Sequence, residues 1–185
     1  MIIIFTFEFI NKIKISKENY DFILKHCIRK LNKEFEEDET PEQQAFGVIG
    51  GREVGDELII EHISALKKNY RLNKSVSTEM TNYLEDFASP GELDIEKRGW
   101  VVEPKEFKEV LEIIDDKGLE FIGTYHMHHD NSWYSDVPKD VTSILDKQLA
   151  KGSKAFMFIA YISSENKHSL KAFYEAVKEV DIYII

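Results

Sequence analysis

The chain has 185 residues, 43% of them hydrophobic and 12% aromatic, and its 24 Lys and Arg against 34 Asp and Glu give a formal net charge of −10. This size and composition are typical of a single globular domain over residues 1–185, and no run reaches the roughly 18 apolar residues of a membrane span. The negative charge argues against nucleic acid and anionic membranes as partners, because phosphate recognition needs a concentrated positive surface. One cysteine, Cys27, excludes an intramolecular disulfide and favours a cytoplasmic location.

The first third of the chain predicts strands around one helix. Residues 2–15 contain one or two strands, and apolar residues recur at helical spacing between Tyr20 and Leu31. The acidic run at residues 34–42 predicts a solvated loop. A turn signal at Gly55 follows a first apolar run and precedes a second, which predicts an antiparallel hairpin from Phe46 to Leu66.

The remaining elements indicate the fold class. Residues 103–117 and 138–151 have the apolar spacing of amphipathic helices, and residues 155–162 form an uninterrupted apolar run that predicts a buried strand. Residues 67–100 are polar and give a weaker pattern. Helices and strands are mixed without a regular βα repeat. We therefore expect an α+β fold in which helices flank a curved, largely antiparallel sheet.

The segment from residue 121 to residue 140 carries the strongest chemical signal. Side chains alternate along a strand, so His126 and His128 should emerge on one face at the end of the apolar run FIGTY. Zinc is commonly bound by His nitrogens and a carboxylate, with water at the open position. Asp140 lies where the next helix should begin, and Asp136 is either an alternative ligand or a helix cap. The sequence therefore predicts a Zn²⁺ site formed by His126, His128 and Asp140.

The same residues resemble the JAMM metalloprotease family, also called MPN+ or JAB. IGTYHMH is similar to the family's VGWYHSH, and QQAFGVIGG is similar to its upstream E-x-x-G-(L/I)-(L/M)-x-G. The resemblance implies an MPN/JAB, cytidine-deaminase-like fold and zinc-dependent hydrolysis of an amide or isopeptide bond. It also implies a protein or peptide substrate, often with a ubiquitin-like C terminus, and an insertion at about residues 67–100 that helps to bind it.

The chain departs from the family pattern at the catalytic positions. The family's general base, a Glu, corresponds to Gln44, whose carboxamide has no useful basicity. Glu42 is the alternative base if the chain bends to bring it back to the site. Eleven residues separate His128 from Asp140, one more than in the family. The family has a Ser three residues before the Asp, and this chain has valine there. The oxyanion-stabilising role therefore goes to Ser135, five residues before Asp140.

Two functions follow from these residues. In the first, the chain is a zinc-dependent metallopeptidase or isopeptidase, in which zinc lowers the pKa of a bound water toward about 7 and a general base orients that water. In the second, the chain is a catalytically inactive MPN-type domain that binds a protein partner, as Gln44 favours. Metal-dependent cleavage that is lost on His128→Ala would exclude the second.

Overall fold

The computed structural model describes residues 7–87, 99–130, 140–165 and 167–185. Within these ranges the chain has seven strands and four α-helices. The strands are β1 Lys12–Ile15, β2 Phe46–Val54, β3 Glu57–Ala65, β4 Glu120–His129, β5 Phe156–Ile162, β6 His168–Tyr174 and β7 Lys178–Ile184. The helices are α1 Lys17–Leu31, α2 Lys74–Phe87, α3 Pro104–Asp116 and α4 Ile144–Ala150.

The seven strands close into a barrel in the order β1-β3-β2-β4-β5-β6-β7. Strand β1 runs parallel to both of its neighbours, β3 and β7, and β4 runs parallel to β5. The other neighbouring pairs in the described chain are antiparallel, including the predicted β2–β3 hairpin, which is confirmed. The prediction of an open, curved sheet of the MPN/JAB type is wrong. Strand β1 joins β3 to β7, so the described strands form a closed mixed barrel without a free edge.

Side chains of β1 alternate between the inside and the outside of the barrel. Ile13 and Ile15 point inward and are fully buried, while Lys12 and Lys14 point outward and both pair with Glu57 on β3. Two apolar side chains, Ile13 and Ile15, therefore anchor β1 in the core between β3 and β7, which are both distant from it in the sequence. Helix α1 packs its apolar face against the same core.

Strand β4 is covered by packed side chains on both faces. Its Ile122 and Tyr125 belong to the barrel core, which includes residues of α1. On the other face, Phe121 packs against a second cluster that contains Val110 and Ile114 of α3. The strand that carries the two histidines is therefore held rigidly between α3 and the barrel core.

Strand β4 also makes a close backbone contact at Gly123. A Cβ atom at this position would lie 1.9 Å from the carbonyl oxygen of Phe156 on β5. We expect Gly123→Ala to lower the free energy of unfolding by about 3 kcal/mol or more, because β4 and β5 would have to separate. Urea denaturation measures this loss. Gly50→Ala is the control, since its Cβ would first meet side-chain atoms of Ile114, at 3.0 Å. Equal losses in the two variants would contradict the expected backbone clash.

A buried polar network ties α1 to β4 and to the acidic segment. His26 Nδ1 lies 2.7 Å from the hydroxyl of Tyr125. Arg29 donates two hydrogen bonds to Glu39, at 2.6 and 3.0 Å. Glu39 is only 8% exposed, so the prediction of a solvated loop at residues 34–42 is wrong at this position. The acidic segment folds back because Arg29 compensates the buried carboxylate.

This network predicts a pH-dependent loss of stability through His26. Burial, helped by the charge of Arg29, lowers the pKa of His26 from 6.5 to about 4. The unfolded chain therefore binds a proton between these values that the folded chain does not. The contribution of neutral His26 to the free energy of unfolding is fully present above pH 6.5. It is lost as the pH falls to 4, which lowers the free energy of unfolding by about 3 kcal/mol. We expect His26→Gln to remove this part of the pH dependence in urea unfolding from pH 7 to 4. The exposed His168→Gln should keep the wild-type slope, and parallel curves for wild type and His26→Gln would contradict the assignment.

Candidate metal centre

Strand β4 presents His126 and His128 side by side at its C-terminal end, as their spacing predicts. Their Nε2 atoms lie 2.9 Å apart and their ring centroids 4.8 Å apart. The ring of His126 stacks on Phe46 of β2 with an interplanar angle of 11°, and Phe46 stacks in turn on Trp100. This stack fixes the plane of the His126 ring, while pairing of β4 with β2 and β5 fixes its backbone.

Asp146 of α4 completes the group. Its Oδ1 lies 3.4 Å from His126 Nε2, and its Oδ2 lies 3.7 Å from His128 Nε2. The three residues offer ligand atoms that all lie within 4.8 Å of one another, so this group could hold a metal ion. A tetrahedral zinc ion with bonds of about 2.0–2.2 Å keeps its donor atoms ~3.4 Å apart. The two histidine nitrogens, at 2.9 Å, are closer than that, and the two carboxylate oxygens lie at 3.4 Å from His126 and 3.7 Å from His128, so small side-chain adjustments would place one oxygen and both nitrogens around one ion.

The environment keeps Asp146 ionised although the residue is only 7% exposed. Burial alone would raise the pKa of the carboxyl group. The nearby imidazoles of His126 and His128 and the backbone N–H of Ser143 outweigh this effect, and they hold the pKa of Asp146 well below its ordinary range. A metal ion requires an ionised carboxylate and neutral imidazoles, so binding a metal would displace the imidazole protons whose positive charge lowers this pKa.

A capping box places Asp146 in the first turn of α4. The Ser143 hydroxyl accepts from the Asp146 N–H at 3.1 Å, and Asp146 Oδ2 accepts from the Ser143 N–H at 2.7 Å. The turn before the helix is held by Thr142, whose hydroxyl donates to the carbonyl of Ala176 at 2.8 Å. Helix α4 therefore begins at Ile144, and residues 140–143, which the sequence places inside a helix over residues 138–151, are not helical.

The later helix start changes the third candidate ligand from Asp140 to Asp146. Asp140 lies in the turn before α4, and its carboxylate pairs with Lys171 of β6 at 3.0 Å. The structure does not bring Asp140 into the group with the two histidines. The alternative ligand Asp136 lies outside the described residues.

Of the three predicted catalytic residues, Gln44 lies at the candidate site, Glu42 does not line its cavity, and Ser135 is outside the described residues. Gln44 lines a cavity of about 390 Å³ that also contains the three candidate ligands. Glu42 does not appear among the described residues of that lining. Its carboxylate instead accepts from the Asn69 amide at 2.5 Å, and burial raises the pKa of Glu42. Ser135 lies outside the described residues.

Ser143 and Asp146 are functional candidates that the sequence prediction missed. They have the Ser-x-x-Asp spacing that the resemblance requires, and Ser143 also lines the cavity. Seventeen residues separate His128 from Asp146, more than the spacing of the family, so the family pattern pointed to an earlier Asp. The Ser-x-x-Asp pattern just ahead of an apolar helical stripe was the signal that could have found both residues.

Comparisons with known proteins bear on the fold alone. No family model matches the chain, and no curated protein matches it. Among solved structures, the chain is similar to the solution structure of protein DSY2949 from Desulfitobacterium hafniense, with a TM-score of 0.56 and 19% identity. The likeness covers 94% of this chain and 92% of that chain. Separately, none of the helices in the described ranges is long and apolar enough to cross a membrane.

Proposed function

We propose that the chain is a zinc-dependent hydrolase that cleaves an amide bond at His126, His128 and Asp146. The observation that carries the proposal is the meeting of two β4 imidazoles and an ionised α4 carboxylate at the wall of a cavity. Two nitrogen donors and one oxygen donor suit zinc, and three protein ligands leave a coordination position open, as in catalytic zinc sites. Zinc held there would supply Lewis acidity and an activated water at neutral pH.

Ser143 and Gln44 can contact the substrate or the attacking water. Ser143 Oγ already accepts from the Asp146 N–H, so its own hydrogen is available for a substrate oxygen. We assign Ser143 the oxyanion-stabilising role that the resemblance gave to Ser135. Gln44 lies on the cavity wall and can orient a water or the substrate by hydrogen bonding, but it cannot accept a proton.

The motif likeness to the JAMM family supports a peptide or isopeptide substrate, including one with a ubiquitin-like C terminus. The likeness concerns the site: His-x-His at residues 126–128, Ser-x-x-Asp at residues 143–146, and Gln44 three residues before Gly47. It does not extend to the fold, because the closed barrel differs from the expected open sheet. A cytoplasmic location, which the single cysteine favours, would suit such a substrate.

A second function is a metal-bearing domain that binds a protein partner without turnover. Gln44 favours it, because hydrolysis without a general base loses roughly 10²–10⁴-fold in rate. The same three residues would then stabilise the fold and the cavity wall. The two functions differ in whether the zinc-loaded protein releases a cleaved product.

Metal-dependent cleavage tests the choice between them. Protein treated with chelator and then reloaded with zinc is incubated with a mixed peptide library and with isopeptide-linked ubiquitin dimers, and products are identified by mass spectrometry. The hydrolase predicts cleavage that disappears with chelator, returns with zinc and is absent from His128→Ala. Zinc-loaded protein that cleaves none of these substrates would contradict the hydrolase and favour the binding domain.

A further inference from the structure

The cavity that contains the candidate ligands is lined by polar residues and by a larger number of apolar residues. The polar ones are the three ligands with Gln43, Gln44, Thr124, His129, Ser143 and Ser153. The apolar walls come from separate parts of the chain. One wall is the stack of Phe46 on Trp100, and the others are helices α2 and α4, which contact one another. Apolar residues that line these walls include Phe46, Met80, Leu84, Trp100, Leu145 and Leu149. A volume of about 390 Å³ lies within the range of small-molecule pockets.

The charge of the lining limits what can enter. Among its described residues there is no Lys, Arg or Glu, and Asp146 is the one carboxylate. That carboxylate already faces two imidazoles and a backbone N–H. Away from the ligand group and His129, a charged substituent on the substrate would therefore lose its water without gaining an ionic partner, whereas an apolar substituent would gain by burial.

We propose that this cavity selects an amide flanked by a large, uncharged, apolar group, either an aromatic or aliphatic side chain or an acyl chain. The group lies between α2, α4 and the Phe46–Trp100 stack, and the scissile carbonyl lies beside the three candidate ligands. This assignment rests on the proposed hydrolase for the position of the scissile bond. The apolar binding itself needs only the cavity, so the two can be tested separately.

The first test uses metal-free protein and the neutral fluorescent probe N-phenyl-1-naphthylamine. We expect the probe to bind with enhanced emission and to be displaced by octanamide at a concentration roughly tenfold or more below that needed for acetamide. Succinamate, which has a charged end, should compete no better than acetamide. No probe binding, or equal competition by the three amides, would overturn the apolar specificity.

Two matched variants on α4 locate the probe. Leu149 lines the cavity and is 46% exposed, whereas Ile144 is 61% exposed and is not among the described lining residues. Because both side chains are largely exposed, neither truncation should disturb folding. Leu149→Ala should weaken probe binding several-fold and Ile144→Ala should not. Equal effects of the two variants would place the probe elsewhere and overturn the assignment.

The second test adds zinc and compares hydroxamates with the same chelating head. Octanohydroxamate should bind roughly tenfold or more tightly than acetohydroxamate, with the difference reduced in Leu149→Ala. Hydroxamates that bind equally well to zinc-loaded protein would overturn the substrate assignment while leaving the metal site in place. If zinc does not bind, the hydrolase fails and with it the position of the scissile amide. The naphthylamine result would then still establish whether the cavity is an apolar site.

Discussion

Asp146→Asn is expected to lower the affinity for zinc by roughly 100-fold or more, because even residues that only support a metal ligand change affinity by 10–100-fold. The carboxylate is buried, and the two imidazoles hold it in the ionised state. Asparagine keeps an oxygen that can accept from the Ser143 N–H, so α4 should still begin at the same residue. Titration of zinc against a competing chelator of known affinity measures the change, and circular dichroism checks that the helix is retained.

Asp140→Asn provides the matched control for that measurement. Asp140 was the ligand predicted from the sequence, but its carboxylate pairs with Lys171 on β6. The substitution removes the same charge from a neighbouring position and should leave zinc affinity unchanged within about twofold, because Asp140 is not among the residues that could hold the metal. A loss in Asp140→Asn that exceeds the loss in Asp146→Asn would contradict the placement of the third ligand.

Gln44→Glu is expected to raise the turnover number for amide hydrolysis by roughly 100-fold or more, within the range that a positioned general base contributes. Gln44 lies on the wall of the cavity that holds the three ligands. A carboxylate at this position can take a proton from the attacking water, which the native carboxamide cannot do. The measurement is the kcat of zinc-loaded wild type and variant on one amide substrate, with zinc content determined for both.

Gln43→Glu separates general-base catalysis from a simple change in charge. Gln43 also lines the cavity and is exposed, with its amide donating to the carbonyl of Leu31 at 2.6 Å. This variant adds the same negative charge at the next residue of the cavity lining, but we expect no comparable gain. If both variants gain equally, the effect is electrostatic and Gln44 does not occupy the position of the base. If neither gains, the binding domain becomes the better account.

Local elements of the fold could be predicted from the sequence, but closure of the barrel could not. The hairpin of β2 and β3 follows from a turn signal between two adjacent apolar runs. Closure depends on β1, a four-residue strand that pairs in parallel with β3 and β7. Ile13 pairs with Ile182 across nearly the whole chain, and alternation within KIKI gives no information about either partner.

In the candidate site, too, the part that depends on local sequence could be predicted, and the part that depends on more distant contacts could not. The two histidines could be predicted, because the i, i+2 geometry of a strand fixes them. The third ligand depends on where α4 begins, and that start is set by the reciprocal bonds between Ser143 and Asp146. Apolar spacing alone placed the helix start earlier, which moved the prediction to Asp140. The buried Glu39 was missed for a similar reason, since its partner Arg29 lies ten residues away on α1.

Zinc stoichiometry tests the metal centre most directly. Protein purified without chelator or histidine tag is analysed by elemental mass spectrometry, for wild type and for His126→Ala/His128→Ala. A site formed by the β4 histidines and Asp146 predicts about one zinc per folded wild-type chain and none in the folded double variant. Wild-type protein that carries no zinc after incubation with excess metal, or a double variant that retains it, would contradict a metal centre at these residues.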